Sequence, residues 1–157
     1  MKKSQWLSEI FTYLLALLFL FTAMSKLIDF RHFVRSINNQ PFDDSFTPFL
    51  VYFLPAIELL AVLLLLSLKT RTKGLWLSLV LMAVFTVYVA LVTFHFYDRV
   101  PCACAGVFQK LTWSQHLVLN VVFTGMAAAS LWLESKHKRT QLVAVSTDSS
   151  LRYSMRK

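Results

Sequence analysis

The chain has 157 residues, 57% of them hydrophobic and 15% charged, with mean hydropathy +0.58 and a formal net charge of +8. A soluble domain of this size cannot hide that much apolar surface, which excludes the ordinary soluble classes. The basic residues are not interleaved with aromatics on one surface and form no helix-turn-helix pattern, so a nucleic-acid partner is excluded too.

Four continuous apolar segments carry the excess, at residues 10–28, 49–68, 75–96 and 113–133. Each is close to the ~20 residues that a helix rising ~1.5 Å per residue needs to cross the hydrocarbon core. None alternates with period two, which argues against strands. The predicted fold class is all-α: a polytopic membrane protein with four transmembrane helices in one bundle.

In chain order, Lys2 and Lys3 precede the first segment, which reads as an uncleaved helix with Lys26 near its far end. From Asp29 to Asn38, Phe30, Phe33, Val34 and Ile37 recur at helical spacing, with Arg31, His32 and Arg35 between them. That pattern predicts an interfacial helix, with His32 on its solvated face. The second segment holds Glu58 about midway, three residues after Pro55, whose missing N–H opens room in the helix. A short basic loop, Lys69 to Lys73, leads to the third segment, which His95 closes.

Between the third and fourth segments lie the chain's two cysteines, Cys102 and Cys104, in Arg99-Val100-Pro101-Cys102-Ala103-Cys104-Ala105-Gly106. Thr112-Trp113-Ser114-Gln115 then reads as a capping box opening the fourth helix. His116 and Asn120 are four apart on one face of that helix. The remainder, Glu134 to Lys157, is polar and basic and predicts a flexible cytoplasmic tail.

Basic residues set the expected orientation. Eleven of the sixteen fall on the side shared by both termini and the 69–73 loop; Lys26, Arg31, Arg35, Arg99 and Lys110 fall on the other. The positive-inside rule places both termini in the cytosol and the cysteine loop outside, at the periplasmic face of a bacterial inner membrane.

On that oxidising side, two cysteines in an otherwise cysteine-free chain form a small disulfide or a cycling dithiol. A ring closed between residues i and i+2 is strained, which raises its reduction potential, and it closes too short a loop to stabilise much. Arg99, Lys110 and the N-terminus of the fourth helix all favour thiolate. Two alternatives stay open: incidental small residues in an interfacial loop, or soft-metal ligands, although no Met or His cluster at ligand spacing completes a site and no metal is expected.

Ionisable groups within a span cost at least ~2.5–3.5 kcal/mol at bilayer centre, so each asks for a partner or a purpose. Lys26, Glu58, His95, His116 and Asn120 all fall at mid-membrane or toward the cysteine loop, and Lys26 is the expected partner of Glu58. Together they suggest a polar pocket beneath the loop. The plain alternative is helix packing, with Lys26–Glu58 as a lock and Asn120 as interhelical glue.

Several of these pieces resemble the methylamine utilisation MauE family, related to DoxX-type small membrane proteins. They are Thr22-Ala23-Met24-Ser25-Lys26-Leu27-Ile28-Asp29, then Leu54-Pro55-Ala56-Ile57-Glu58-Leu59, Cys102-Ala103-Cys104-Ala105-Gly106-Val107-Phe108, and His116-Leu117-Val118-Leu119-Asn120. The resemblance implies a four-helix inner-membrane protein that helps mature a disulfide-rich periplasmic protein beside a thioredoxin-like partner. It also implies Cys102 and Cys104 as the redox pair and Lys26, Glu58, His116 and Asn120 as the supporting polar set. The family loop tends to read Cys-Gly-Cys-Phe-Gly; Ala103 and Ala105 here narrow the backbone's freedom.

The sequence therefore supports membrane thiol–disulfide exchange serving an exported cysteine-containing protein. It fixes no cofactor. With no cysteine on the cytosolic side, the electron sink would be a quinone in the polar pocket or the thioredoxin-like partner. The competing classes are a non-catalytic subunit that anchors or assembles a larger complex, and a small proton-coupled transporter using Glu58. Four helices without inverted repeats count against the transporter.

Overall fold

The computed structural model describes residues 2–38, 47–94 and 112–155. These form five helices and, among the described residues, no strand: α1 (Lys2–Ile28), α2 (Phe30–Asn38), α3 (Thr47–Leu66), α4 (Arg71–Thr93) and α5 (Trp113–Met155). Four of them contain stretches long and apolar enough to cross a membrane, at Gln5–Ile28, Thr47–Leu66, Arg71–Thr93 and Ser114–Lys136. The chain is an all-α, multi-pass membrane protein.

The long helices form a ring. α1 packs against α3 and α5, α4 packs against the same two, and α2 lies mainly on α3. Neighbours run antiparallel: Ser8 of α1 meets Ser130 of α5, while Thr72 and Thr86 of α4 meet Glu134 and Thr124 of α5. Lys26 at the far end of α1 meets Glu58 of α3. The ends of α4 and α5 that flank residues 95–111 therefore lie at the same end of the bundle as Lys26.

Helical periodicity decides which residues face inward. On α1 the buried positions are Ser8, Thr12, Leu15, Ala16, Phe19, Ala23 and Lys26, three or four apart around one stripe. Of these, Leu15, Ala16 and Phe19 share one core cluster with Ala61, Val62 and Leu65 of α3, Leu75 and Met82 of α4, and Ala127 and Leu131 of α5. The outward face is as apolar as the core: Leu17, Leu63, Val84 and Val118 are each more than 60% exposed. Lipid is the solvent such a surface fits, and between helices in lipid close packing replaces the hydrophobic drive.

The tightest approach joins α3 to α4. A Cβ on Gly74 would lie 2.7 Å from the Leu65 nitrogen and 2.8 Å from the Leu64 carbonyl carbon. Thr70 supports this turn by donating its hydroxyl to the Leu64 carbonyl at 3.2 Å, and its own carbonyl accepts the Gly74 N–H at 3.0 Å.

α1, α3 and α4 begin before the apolar windows seen in the sequence and α5 ends after its window, because main-chain hydrogen bonding continues past the hydrocarbon boundary, whereas α3 stops at Leu66 and α4 at Thr93, inside theirs. The largest difference is at the C-terminus. The sequence predicts a flexible tail from Glu134, whereas α5 continues as helix through Met155. Glu134 to Thr140 holds no Gly or Pro to stop it.

Candidate functional site

Two local signals place the elements around the site. Asp29 caps α2: its carboxylate accepts the His32 N–H at 3.3 Å, and its carbonyl accepts the Phe33 N–H at 3.0 Å. The cap separates α2 from α1, and α2 packs on α3. At the start of α5, the Gln115 side chain accepts the Thr112 N–H at 2.9 Å, one arm of the expected capping box.

The centre of the site is a buried ion pair. Lys26 Nζ donates to Glu58 Oε1 at 2.8 Å and to Oε2 at 3.0 Å. Its third contact is the Thr22 carbonyl at 3.3 Å, so all three ammonium protons have acceptors. Glu58 is 1% exposed and Lys26 7%. The Thr22 hydroxyl lies within hydrogen-bond reach of the Glu58 carboxylate as well as the Phe19 carbonyl. The ring of Phe33, fully buried, has its centroid 5.9 Å from Nζ and brings α2 into the arrangement. One turn before Glu58, buried Pro55 leaves the Val51 carbonyl without its usual helical donor.

The structure thus joins Lys26 and Glu58 as the sequence suggests, and completes the pair with Thr22 and Phe33. Thr22 stands in the sequence motif but carries no charge to draw notice. Phe33 reads in the sequence only as part of an amphipathic stripe.

His116 and Asn120 occupy the first turns of α5, partly buried. α5 has α1 and α4 as its neighbours, and Glu58 lies across the ring on α3. The Asn120 carbonyl accepts the Thr124 hydroxyl at 2.7 Å, and that hydroxyl meets Thr86 Oγ1 at 2.9 Å, tying α5 to α4. His95, Cys102 and Cys104 lie outside the described residues. Among the described residues, no group of three His, Cys, Asp or Glu side chains comes together as a metal would require.

The opposite end of the bundle holds a second polar group that the sequence does not announce. Arg71 Nη1 lies 4.0 Å from Glu9 Oε1, and the Thr72 hydroxyl donates to Glu134 at 2.9 Å. Ser8 donates to the Ser130 carbonyl at 3.5 Å, and Thr12 donates to the Ser8 carbonyl at 2.7 Å. Polarity in the folded bundle is therefore two-ended, not confined to the side of Lys26.

No curated protein and no solved structure matches this sequence. The family model for the methylamine utilisation protein MauE matches residues 4–133, which contain all four apolar spans down to the last turn of the fourth, and the Lys26–Glu58 pair. With most of its length matched in this way, the chain belongs to the MauE family, a membrane protein associated with methylamine utilisation.

Proposed function

We propose that the chain performs thiol–disulfide exchange at the periplasmic face of a bacterial inner membrane, through Cys102 and Cys104, in the maturation of an exported cysteine-containing protein. The observation that supports this reading most is topological. The segment bearing both cysteines leaves α4 and enters α5 at the end of the bundle where Lys26, Thr22 and Glu58 meet. A charged, hydrogen-bonded floor at that end is a costly feature in a membrane helix bundle.

In the exchange, a partner thiolate attacks one sulfur of the Cys102–Cys104 disulfide. A mixed disulfide forms and the other cysteine leaves as thiolate. The partner's second thiolate then attacks the mixed disulfide, so the partner departs oxidised and the pair keeps two electrons. Protons from the two partner thiols accompany them. Reoxidation passes those electrons to a quinone or a thioredoxin-like disulfide, and the reverse sequence reduces a partner instead.

A second reading has an observation in its favour. The Lys26 ammonium is fully satisfied by its own bundle, as a packing lock would be. The chain would then be a non-catalytic subunit that anchors or assembles a complex, with the cysteines as a passive clip.

Cysteine trapping separates the two. In intact cells, Cys104→Ser or Cys102→Ser should accumulate a mixed disulfide with a periplasmic protein, and the double variant should abolish both that adduct and maturation. Full maturation with both cysteines replaced would overturn the exchange reading. A membrane-impermeant thiol reagent applied to spheroplasts after mild reduction should label both sulfurs. Labelling by a permeant reagent alone would place the loop on the other side.

A further inference from the structure

We infer that α2 and the start of α3 form a binding site for an anionic phospholipid, with Arg31 and Arg35 taking the phosphate and the aromatics of α3 lying along the acyl chains. α2 is divided by its packing. Phe33 and Ile37 are buried against Val51, with Leu50 and Leu54 beside them, whereas Arg31 and Arg35 are exposed. Four residues apart on a helix, the two guanidinium groups stand on neighbouring turns and can share one phosphate.

Neither arginine makes an ion pair among the described residues, unlike Lys26 with Glu58 and Arg71 with Glu9. Asp29, the residue before α2, is engaged in capping it. Two exposed arginines beside lipid-facing surface, without an ion pair among the described residues, form a positive patch.

The apolar half of the site adjoins them. Phe49 is 60% exposed, Tyr52 69% and Phe53 43%, and the Phe49 and Phe53 rings stack at 4.8 Å. Tyr52 and Phe30 of α2 lie 6.0 Å apart, so the aromatic surface reaches across to α2. The membrane-crossing stretch of α1 ends at Ile28 and that of α3 begins at Thr47, so α2 falls between the spans, at headgroup depth, and the rings of α3 occupy the first turns of the span next to it. Interfacial aromatics beneath basic side chains match a lipid with an anionic head and two hydrocarbon tails. An acidic protein segment would use the arginines but leave the lipid-facing rings without a role.

The test uses the full-length protein in phosphatidylcholine nanodiscs containing a minority of photoactivatable phosphatidylglycerol, with labelled peptides mapped after denaturation and digestion. Peptides from residues 30–53 should carry the label, and Arg31→Gln/Arg35→Gln should reduce it about ten-fold. Label on residues 69–76, at the opposite face, should not change in that variant and serves as the internal reference. Arg31→Lys/Arg35→Lys, which keeps the charge, should retain most of it. Equal labelling of residues 30–53 in the Gln variant would overturn the proposal, as would equal labelling by a photoactivatable phosphatidylcholine. A copurifying acidic protein that vanishes with the arginines while the lipid label persists would overturn it in favour of a protein partner.

Discussion

Lys26 and Glu58 hold each other across α1 and α3 with two hydrogen bonds of 2.8 and 3.0 Å, both side chains almost wholly removed from solvent. Each charge depends on the other, because neither has water to replace a lost partner. Removing one side chain leaves an uncompensated buried charge, which typically costs ~3–5 kcal/mol. Lys26→Met alone and Glu58→Leu alone should therefore lower the unfolding temperature in detergent sharply, while Lys26→Met/Glu58→Leu should recover much of the loss. Additive losses in the double variant would show that the two residues act separately. If the double variant is stable yet inactive in maturation, the pair serves the chemistry as well as the packing.

Gly74 lies where two backbones come closest. A methyl group there would sit 2.7 Å from a main-chain nitrogen and 2.8 Å from a main-chain carbon of α3, neither of which can rotate away. Gly74→Ala should cost about 1–3 kcal/mol by forcing α3 and α4 apart, despite alanine's better helix propensity. Gly125, with open space around its Cβ position, is the matched control: Gly125→Ala should be neutral or stabilising. Comparing the two variants' thermal unfolding in one detergent checks the contrast.

The fold was legible in the sequence wherever one rule sufficed. Apolar run lengths gave the four spans, and the lone carboxylate beside Pro55 asked for a cation that only Lys26 could supply within the bundle. The stripe of Phe33 and Ile37 announced α2. What stayed hidden depended on contacts distant in sequence. Arg71 looks like a topology charge when read along the chain, and nothing there ties Glu9 or Glu134 to it or to its neighbour Thr72. Only antiparallel packing brings Glu9 to Arg71, and Thr72 to Glu134 across 62 residues. Thr22 was hidden for another reason: its carbonyl, a group every residue has, does part of the work.

Thr86 and Thr124 tie α4 to α5 through a hydroxyl–hydroxyl contact of 2.9 Å, each hydroxyl also meeting a carbonyl of its own helix. Since each keeps that local partner, the interhelical bond is worth little: ~0.6 kcal/mol is typical for such bonds in membrane bundles. Thr86→Val and Thr124→Val should each lower the unfolding temperature slightly, and the double variant no more than the larger single. A double-mutant cycle with no coupling would show that the two hydroxyls touch without interacting.

Phe33 is the residue through which α2 grips the bundle. It is completely buried, packs with Ile37 and Val51, and presents its ring to the Lys26 ammonium at 5.9 Å. Phe33→Ala should free α2 from α3 at a cost of up to ~3–5 kcal/mol, while leaving the α1–α3–α4–α5 ring assembled. Phe33→Leu keeps the volume near the original but loses the ring's negative face, so it should recover most of the packing and none of the cation–π contribution, about 0.5–2 kcal/mol. Hydrogen exchange resolves the two effects. In Phe33→Ala the amides of residues 30–38 should exchange much faster, whereas in Phe33→Leu those amides should stay protected. Protection of α2 unchanged in Phe33→Ala would mean that the cap at Asp29 and the contacts of Ile37 suffice to hold the helix down.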